Sequence, residues 1–398
     1  MANSDFILAP LNDPSLDPHQ SVGCDKADRI AVSIHSDVCE IEAEWRKLEA
    51  NKLNSPHQSL DWCRAWKETH DRQVLVVRGA RGRQALFILP FEIVHGRFFR
   101  TARLVGSDHS NLNTGLFAEG IEMFASADLT RALTDGLRQL RDFADVVSLD
   151  RIPATWRGAP HPLHSLPGAA SPNASFQLPL LGDMEHTLAQ LNAKRRRKRM
   201  RISEKRLAEF GGYEYVSARH PPEAHSLLEI FFRQKAARFA KLGLPDVFAD
   251  GATRAFFHTL IDRGGLFELN AIRMKGEHHG KILAVAGLLR KGDHVICQFG
   301  SIEETVAADS SPGELLFYRI IERLCNEGVE VFDFGIGDQS YKRSWCTIET
   351  PLRDIVLPLT PRGQLAAGIH RMIARAKRAA KANKPVYTFL QRQRRRWQ

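Results

Sequence analysis

The sequence lacks any long apolar run: its longest, ILAVAGLL from Ile282 to Leu289, is far shorter than the roughly 20 residues that a bilayer-spanning helix needs. No membrane-spanning segment is therefore expected. The first residues, MANSDFILAPLNDPSLD, carry acids where a secretory leader carries bases, and FILAPL is short for a leader's apolar stretch, so no signal peptide is expected. Cysteine is sparse. The six cysteines (Cys24, Cys39, Cys63, Cys297, Cys325 and Cys346) form no C-x-x-C pair and have no histidine at ligand spacing. Neither a zinc site nor a disulfide framework is signalled, and a reducing cytoplasm is the expected compartment. Acids vanish from the C-terminal tail. None follows Asp354, while eleven Lys and Arg lie between Ile355 and Gln398. Residues 1 to 354 hold 45 bases against 46 acids, so the net charge of +10 belongs to the tail. Such a tail favours anionic partners such as a membrane surface, a nucleotide or RNA, and says little about the fold.

What is present describes a soluble globular protein of two or three domains, with 398 residues, 43% hydrophobic and 26% charged. Residues 1–27 read as a disordered N-terminal segment. Six prolines between Ile152 and Pro179, with Gly and Ser among them, read as a connection that ends an N-terminal domain of residues 28–180. That domain shows helical patterns around Ala43–Leu48 and in SLDWCRAWKETH, then strand-like runs in QVLVVRG, QALFILPFEIV and VVSLDR. The second domain, residues 181–360, begins with one helix from Met184 to about Phe210 and a strand at YEYVSA. Helices over Glu223–Lys241 and Thr253–Arg263 follow, then three strand-like runs joined by the short turns KGEHHGK and RKGD, which argue for antiparallel pairing. A helix from Gly313 to Asn326, the strand VEVFDFG and a short strand near DIVLPL complete it. The fold class is α/β with a mixed sheet, and the shared helix-then-strands order hints at duplication. In residues 361–398, Leu365, Ile369, Met372, Ile373, Ala376 and Ala380 share one face of a basic amphipathic helix. The favoured reading is that this stripe caps the second domain; lying on an anionic membrane is the alternative. The final QRQRRRWQ reads as disordered.

The stretch VFDFGIGDQSYKRSW is the hardest to explain as structure only. Gly335 and Gly337 permit positive φ and close approach of a ligand. Asp333, Asp338, Tyr341 and Lys342 cluster at a strand's C-terminal end, where substrate crevices form beside crossover helices. A carboxylate there suits removal of a proton from an attacking amine or hydroxyl, Lys342 suits an oxyanion or phosphate, and Tyr341 suits a leaving thiolate. In SSPGELLFYRII, Ser311, Pro312 and Glu314 have the pattern of a capping box, which alone explains the residue types. A helix start with Gly313 is equally an anion site. The run from Lys194 to Arg201 holds seven bases in eight residues, more than one helix face can carry, so Arg195 and Lys198 are candidates for a phosphate-bearing partner. Lys235 and Arg238 share a helix face and either contact substrate or flank an aromatic stripe.

Read as one block, SPGELLFYRIIERLCNEGVEVFDFGIGDQSYKRSW resembles the acyltransferases of the GNAT superfamily, specifically the CelD-type proteins of cellulose and other exopolysaccharide synthesis, relatives of the FemAB transferases. The resemblance lies in S-P-G, D-F-G-x-G-D and Y-K-x-x-W, with LNAKRRRKRMR and FFRQKAARF where such proteins carry a basic helix and a following helix. It implies tandem GNAT-like domains, a sheet split by a crevice in the second, and transfer from an acyl-CoA to an amine or hydroxyl on a sugar or polysaccharide precursor. It implies that Ser310, Ser311, Gly313 and Gln298 meet the donor, although the usual Q/R-x-x-G-x-G/A run is missing. Lys342 inherits the substrate contact of the corresponding FemAB lysine. The site expected is thus Asp338 or Asp333 as base, Lys342 and Tyr341 as stabilisers, and Lys235, Arg238, Gly335, Gly337, Arg195 and Lys198 toward substrate. The donor is acetyl-CoA or another acyl-CoA, and no metal is expected. Two alternatives stay open: a FemAB-like transferase using aminoacyl-tRNA, the one nucleic acid expected, and a non-catalytic effector whose bases bind a cyclic dinucleotide or a membrane. The location expected is the cytoplasm, with the inner-membrane surface as a further expectation.

Overall fold

The computed structural model describes residues 29–382 apart from 125 and 219. The readings of residues 1–27 and of the final QRQRRRWQ lie outside the described residues. The N-terminal half runs β1 (Ala31–His35), α1 (Glu42–Glu49), α2 (Leu60–Thr69), β2 (Val74–Arg81), β3 (Gln84–His95), β4 (Arg100–Leu104), β5 (Leu116–Phe117), α3 (Ser126–Arg138) and β6 (Val146–Pro153). A small ribbon of β7 (Thr155–Trp156) and β8 (Ala159–Pro160) leads to β9 (Ala169–Pro179). The C-terminal half runs α4 (Met184–Ala189), α5 (Ala193–Ala208), β10 (Tyr213–Ala218), α6 (Pro221–Leu242), α7 (Gly251–Arg263), β11 (Phe267–Met274), β12 (Ile282–Lys291), β13 (His294–Ile302), α8 (Pro312–Asn326), β14 (Val331–Ile336), α9 (Ser340–Trp345), β15 (Ile348–Pro358) and α10 (Pro361–Ala382).

One mixed sheet crosses both halves in the order β1-β2-β3-β4-β6-β15-β9-β14-β13-β12-β11-β10. Each half contributes four antiparallel strands followed by a parallel neighbour: β4 beside β6, and β13 beside β14. The duplicated strand order suggested by the sequence is therefore real, and the short turns after β11 and β12 do join antiparallel strands. The halves also exchange their last strands. β9, which follows β6 in the chain, pairs with β14, while β15, which follows β14, pairs with β6; β15 and β9 pair with each other at the seam.

Three readings of the sequence need correction. The proline-rich connection contains β9, which is internal to the sheet; Pro172 and Pro179 sit in it. The helix expected over Met184–Phe210 is broken into α4 and α5, because the Asn192 side chain leaves the helical path to accept from the Arg195 N–H at 3.0 Å. The short strand near DIVLPL is an eleven-residue strand that begins at Ile348.

The stripe on α10 does not cap the domain either. Small residues, Gly363, Ala366 and Ala367, are buried against the sheet, while Leu365, Ile369, Met372 and Ile373 are exposed. A Cβ on Gly363 would lie 1.8 Å from the Asp145 carbonyl oxygen. Backbone cannot yield there, and overpacking of this kind costs about 1–3 kcal/mol. Gly363→Ala should therefore lower unfolding stability by about 2 kcal/mol, read as an earlier denaturant midpoint with unchanged slope.

Candidate active site

Strands β13 and β14 pair in parallel over only three residues each, His294–Ile296 against Val331–Asp333, and then part. Two irregularities widen the split. Gln298 is the extra residue of a bulge against β12, and β14 slips its register with β9 between Asp333 and Ile336. Within that slip Gly335 adopts φ 72°, where a Cβ would meet the Asn111 side chain at 2.9 Å. The consequence is a crevice of about 1040 Å³, walled by β13 from Cys297 to Ile302, by Phe334 and Ile336 of β14, by α6, and by the starts of α8 and α9. Most of its wall is apolar: Phe239, Phe248, Phe299, Ile302, Phe317, Phe334 and Ile336 all reach it.

The corresponding gap in the N-terminal half, between β4 and β6, is filled by the chain itself. Val105, Ser107, Ser110 and Leu112–Thr114 are buried in the loop after β4, and Arg151 donates to the Ser107 and Ser110 carbonyls.

Three lysines line this crevice; Lys241 is exposed and pairs with Glu304, whereas the other two reach backbone carbonyls. Lys342 is buried and its Nζ donates to the Ile336 carbonyl at 2.6 Å; Lys235 Nζ donates to the Gly300 carbonyl at 3.1 Å. Burial lowers the pKa of both, and the charges of Arg238 and Lys235 add to the effect on Lys235 and Lys342 respectively. Like-charged ammoniums in an apolar cleft destabilise each other's charged form. Burial also raises the Cys297 thiol to about 11, so it stays protonated at neutral pH, and it raises the Tyr341 phenol, which stacks on Phe317 with ring centroids 5.7 Å apart.

Of the residues singled out in the sequence, Lys342, Tyr341, Lys235, Arg238, Gln298, Ser311 and Gly313 line the crevice. Asp338 does not. It sits at the surface with both carboxylate oxygens bridged by Arg343. The reason is helical geometry: in α9, Lys342 and Trp345 turn inward and Arg343 outward. Asp333 is fully buried and already committed, accepting from Ser175 and Gln177 at 3.0 Å and from the Gly335 N–H at 2.6 Å. Burial opposes its charge, but these bonds and the His294 ring at 3.7 Å outweigh that and lower its pKa, so it holds the bulge together. Ser310 Oγ is turned back to the Ala307 carbonyl. Gly337 N–H binds the Ala174 carbonyl, outside the crevice wall. Arg195 and Lys198 are exposed on α5 and also lie outside it.

The capping box is absent. Ser311 takes a left-handed φ of 54° with no side-chain cap bond, and Glu314 is drawn to Arg196 and Arg199. A non-glycine residue in that region costs on the order of 1 kcal/mol, which the surrounding packing sustains. Gln298 lines the crevice, but its side chain is engaged with the His57 ring at 3.0 Å and with the His109 carbonyl.

Three site residues were not anticipated. Arg196, within the basic run, is buried; it stacks on Trp345 at 3.8 Å, bonds Ser344 and pairs with Glu314, tying α5, α8 and α9 together. Met200, one helical turn further on, is buried on the same side, and that spacing was the available signal. Asn111 and His57 come from the N-terminal half, more than 180 residues away, and no local pattern marks them. Among the described residues no group of three or more His, Cys, Asp or Glu could hold a metal ion.

Residues 194–343, from the first turn of α5 to α9 and so enclosing the crevice, match the family described as acetyltransferase (GNAT) domain. This segment is similar to a GNAT acetyltransferase domain. No curated protein matches the chain. Among solved structures, FemX superposes with a TM-score of 0.60 at 13% identity, covering 84% of this chain and 99% of FemX. The fold shared with FemX thus extends over both halves. More distant are the C-terminal domain of a putative lysylphosphatidylglycerol synthetase from Agrobacterium fabrum (TM-score 0.48, 13% identity, 79% of this chain and 92% of that one) and a tandem GNAT protein from the clavulanic acid biosynthesis pathway (TM-score 0.43, 11% identity, 83% and 99%).

Proposed function

We propose that the crevice of the GNAT domain binds an acyl-CoA thioester and that its acyl group passes to an amine or hydroxyl of a sugar unit in exopolysaccharide synthesis. The observation that carries the transferase reading is the parting of β13 and β14 around Lys342, a buried ammonium held by a carbonyl rather than a carboxylate. Its charge is available to the oxygen of a thioester as the carbonyl becomes an oxyanion. Tyr341, kept protonated by burial, donates toward the departing sulfur. With Asp338 at the surface, the base in this reading is Lys235, whose proton burial makes easier to lose: it takes the proton of the attacking amine as the C–N bond forms and the C–S bond breaks. A thioester is already activated, so positioning and charge stabilisation supply most of the rate. The sugar acceptor rests on the CelD-type motif from Asp333 to Trp345. The apolar wall offers room beyond an acetyl group, which favours longer acyl chains.

The test is a melting series with acetyl-, butyryl- and octanoyl-CoA, followed by transfer to an amino sugar. A ligand that binds only the folded chain at roughly a hundred times its Kd adds about 2.7 kcal/mol, a shift of several degrees. Octanoyl-CoA should shift the midpoint most. A flat response to all three would reject the acyl-CoA donor.

A second reading has one observation behind it. Arg199 reaches Glu314 in the crevice wall and Arg206 reaches Asp309 just before α8, so the basic face of α5 borders the crevice. An aminoacyl-tRNA donor would use that border, and its binding would fall steeply with salt. A midpoint raised by tRNA and by none of the thioesters would favour this reading.

A further inference from the structure

We infer that α10 is a docking face for an anionic lipid surface, in which the helix lies along the bilayer with its outer apolar stripe inserted. The helix presents its side chains in an unusual arrangement. Its small residues, Gly363, Ala366 and Ala367, pack onto the sheet, so the backbone approaches the Asp145 carbonyl closely. Its bulky apolar residues face outward instead: Leu365 is 71% exposed and Met372 66%, with Ile369 and Ile373 beside them at helical spacing. A helix whose purpose was to cover the domain would carry these groups in the opposite sense. Four large apolar side chains left together on a surface mark an interaction site.

Charge selects the occupant. No acid follows Asp354, and the sequence of α10 from Arg362 to Lys381 holds six of the eleven bases of the C-terminal segment. Arg362, at the start of the helix, and Arg371, next to Met372 in the chain, are both exposed alongside the stripe. Exposed apolar groups on a helix that carries bases and no acid are the pattern of a helix lying in an anionic interface. Phosphatidylglycerol-type headgroups would meet the bases while acyl chains take the stripe. Among the described residues no helix is long and apolar enough to cross the membrane, so the contact is with the surface.

The test is flotation of the full chain with vesicles of phosphatidylglycerol mixed into phosphatidylcholine, against phosphatidylcholine alone. Binding to the anionic vesicles should be at least tenfold tighter and should fall away near 1 M salt, where charge interactions reach only about 3 Å. The double variant Leu365→Gln, Met372→Gln changes only exposed side chains. It should bind the anionic vesicles at least tenfold more weakly, with the melting midpoint unchanged. Equal binding to both vesicle types, or by variant and parent, overturns the inference. So does a lipid-free dimer that the double variant dissociates, since a second copy would then be the occupant of the stripe.

Discussion

Replacing Lys342 with methionine is expected to lower kcat/KM for acyl transfer by about 10²–10³-fold, the range typical of removing one oxyanion donor. Two effects compete in this variant. Methionine keeps much of the volume and removes a charge whose burial is unfavourable, as its lowered pKa shows; exchanging a buried charge for an apolar group is often neutral for stability or better. Against this, the Ile336 carbonyl loses its donor, at about 1 kcal/mol. The two nearly cancel, so the melting midpoint should stay within a few degrees while activity collapses. Steady-state kinetics beside a thermal melt separate them. Unchanged transfer in a folded Lys342→Met protein would remove this lysine from the reaction. The parallel variant Asp338→Asn should keep near-parental kcat/KM, because its carboxylate meets Arg343 at the surface.

Acid should destabilise the protein steeply between about pH 6.5 and 4 through the buried His57 and His161 and the part-buried His109. Burial pushes the rings of His57 and His109 down to about 4 and that of His161 to about 3. In the unfolded chain these imidazoles take up protons from about pH 6.5 downward, whereas in the folded protein they stay neutral. The unfolded state then binds more protons, so their stability is complete above about 6.5 and is lost as pH falls toward the folded values. One such group shifted from 6.5 to 4 forfeits on the order of 3 kcal/mol at pH 4, a large part of a typical total of about 5–15. His161 isolates the effect. Its Nδ1 accepts from the Leu163 N–H, its Nε2 lacks a hydrogen-bond partner among the described residues, and its ring packs edge-on to Phe117. His161→Phe should lose about 1 kcal/mol at neutral pH through the missing acceptor, yet show a shallower decline of the melting midpoint on acidification. A parallel decline in variant and parent would refute the assignment.

How much of this was legible in the sequence follows from the range of each signal. The helices α6, α7 and α8 were readable because their apolar spacing and their Pro, Asp and Gly termini are local. β9 was hidden because its prolines mark turns in most contexts, and only the neighbouring β14 and β15 make a strand of it. In the candidate site, the stretch from Val331 to Trp345 pointed to the crevice, but of its four proposed chemical residues only Tyr341 and Lys342 line it. Asp338 and Lys342 are close in sequence, but Asp338 lies before α9 and pairs with the exposed Arg343, whereas Lys342 is buried on α9. The contribution of His57 and Asn111 was beyond reach, since it depends on how the halves meet.

The exchanged terminal strands bear on how the molecule is made. A chain emerging from the ribosome presents β6 long before β15 exists, so the first half waits with an open edge until residue 358 has been synthesised. Neither half is a closed unit, and cutting the chain near residue 180 would leave each fragment missing a strand that the other supplies. Closing the sheet therefore depends on contacts between distant parts of the chain, the kind of pairing that forms slowly and leaves an edge exposed in partly folded states.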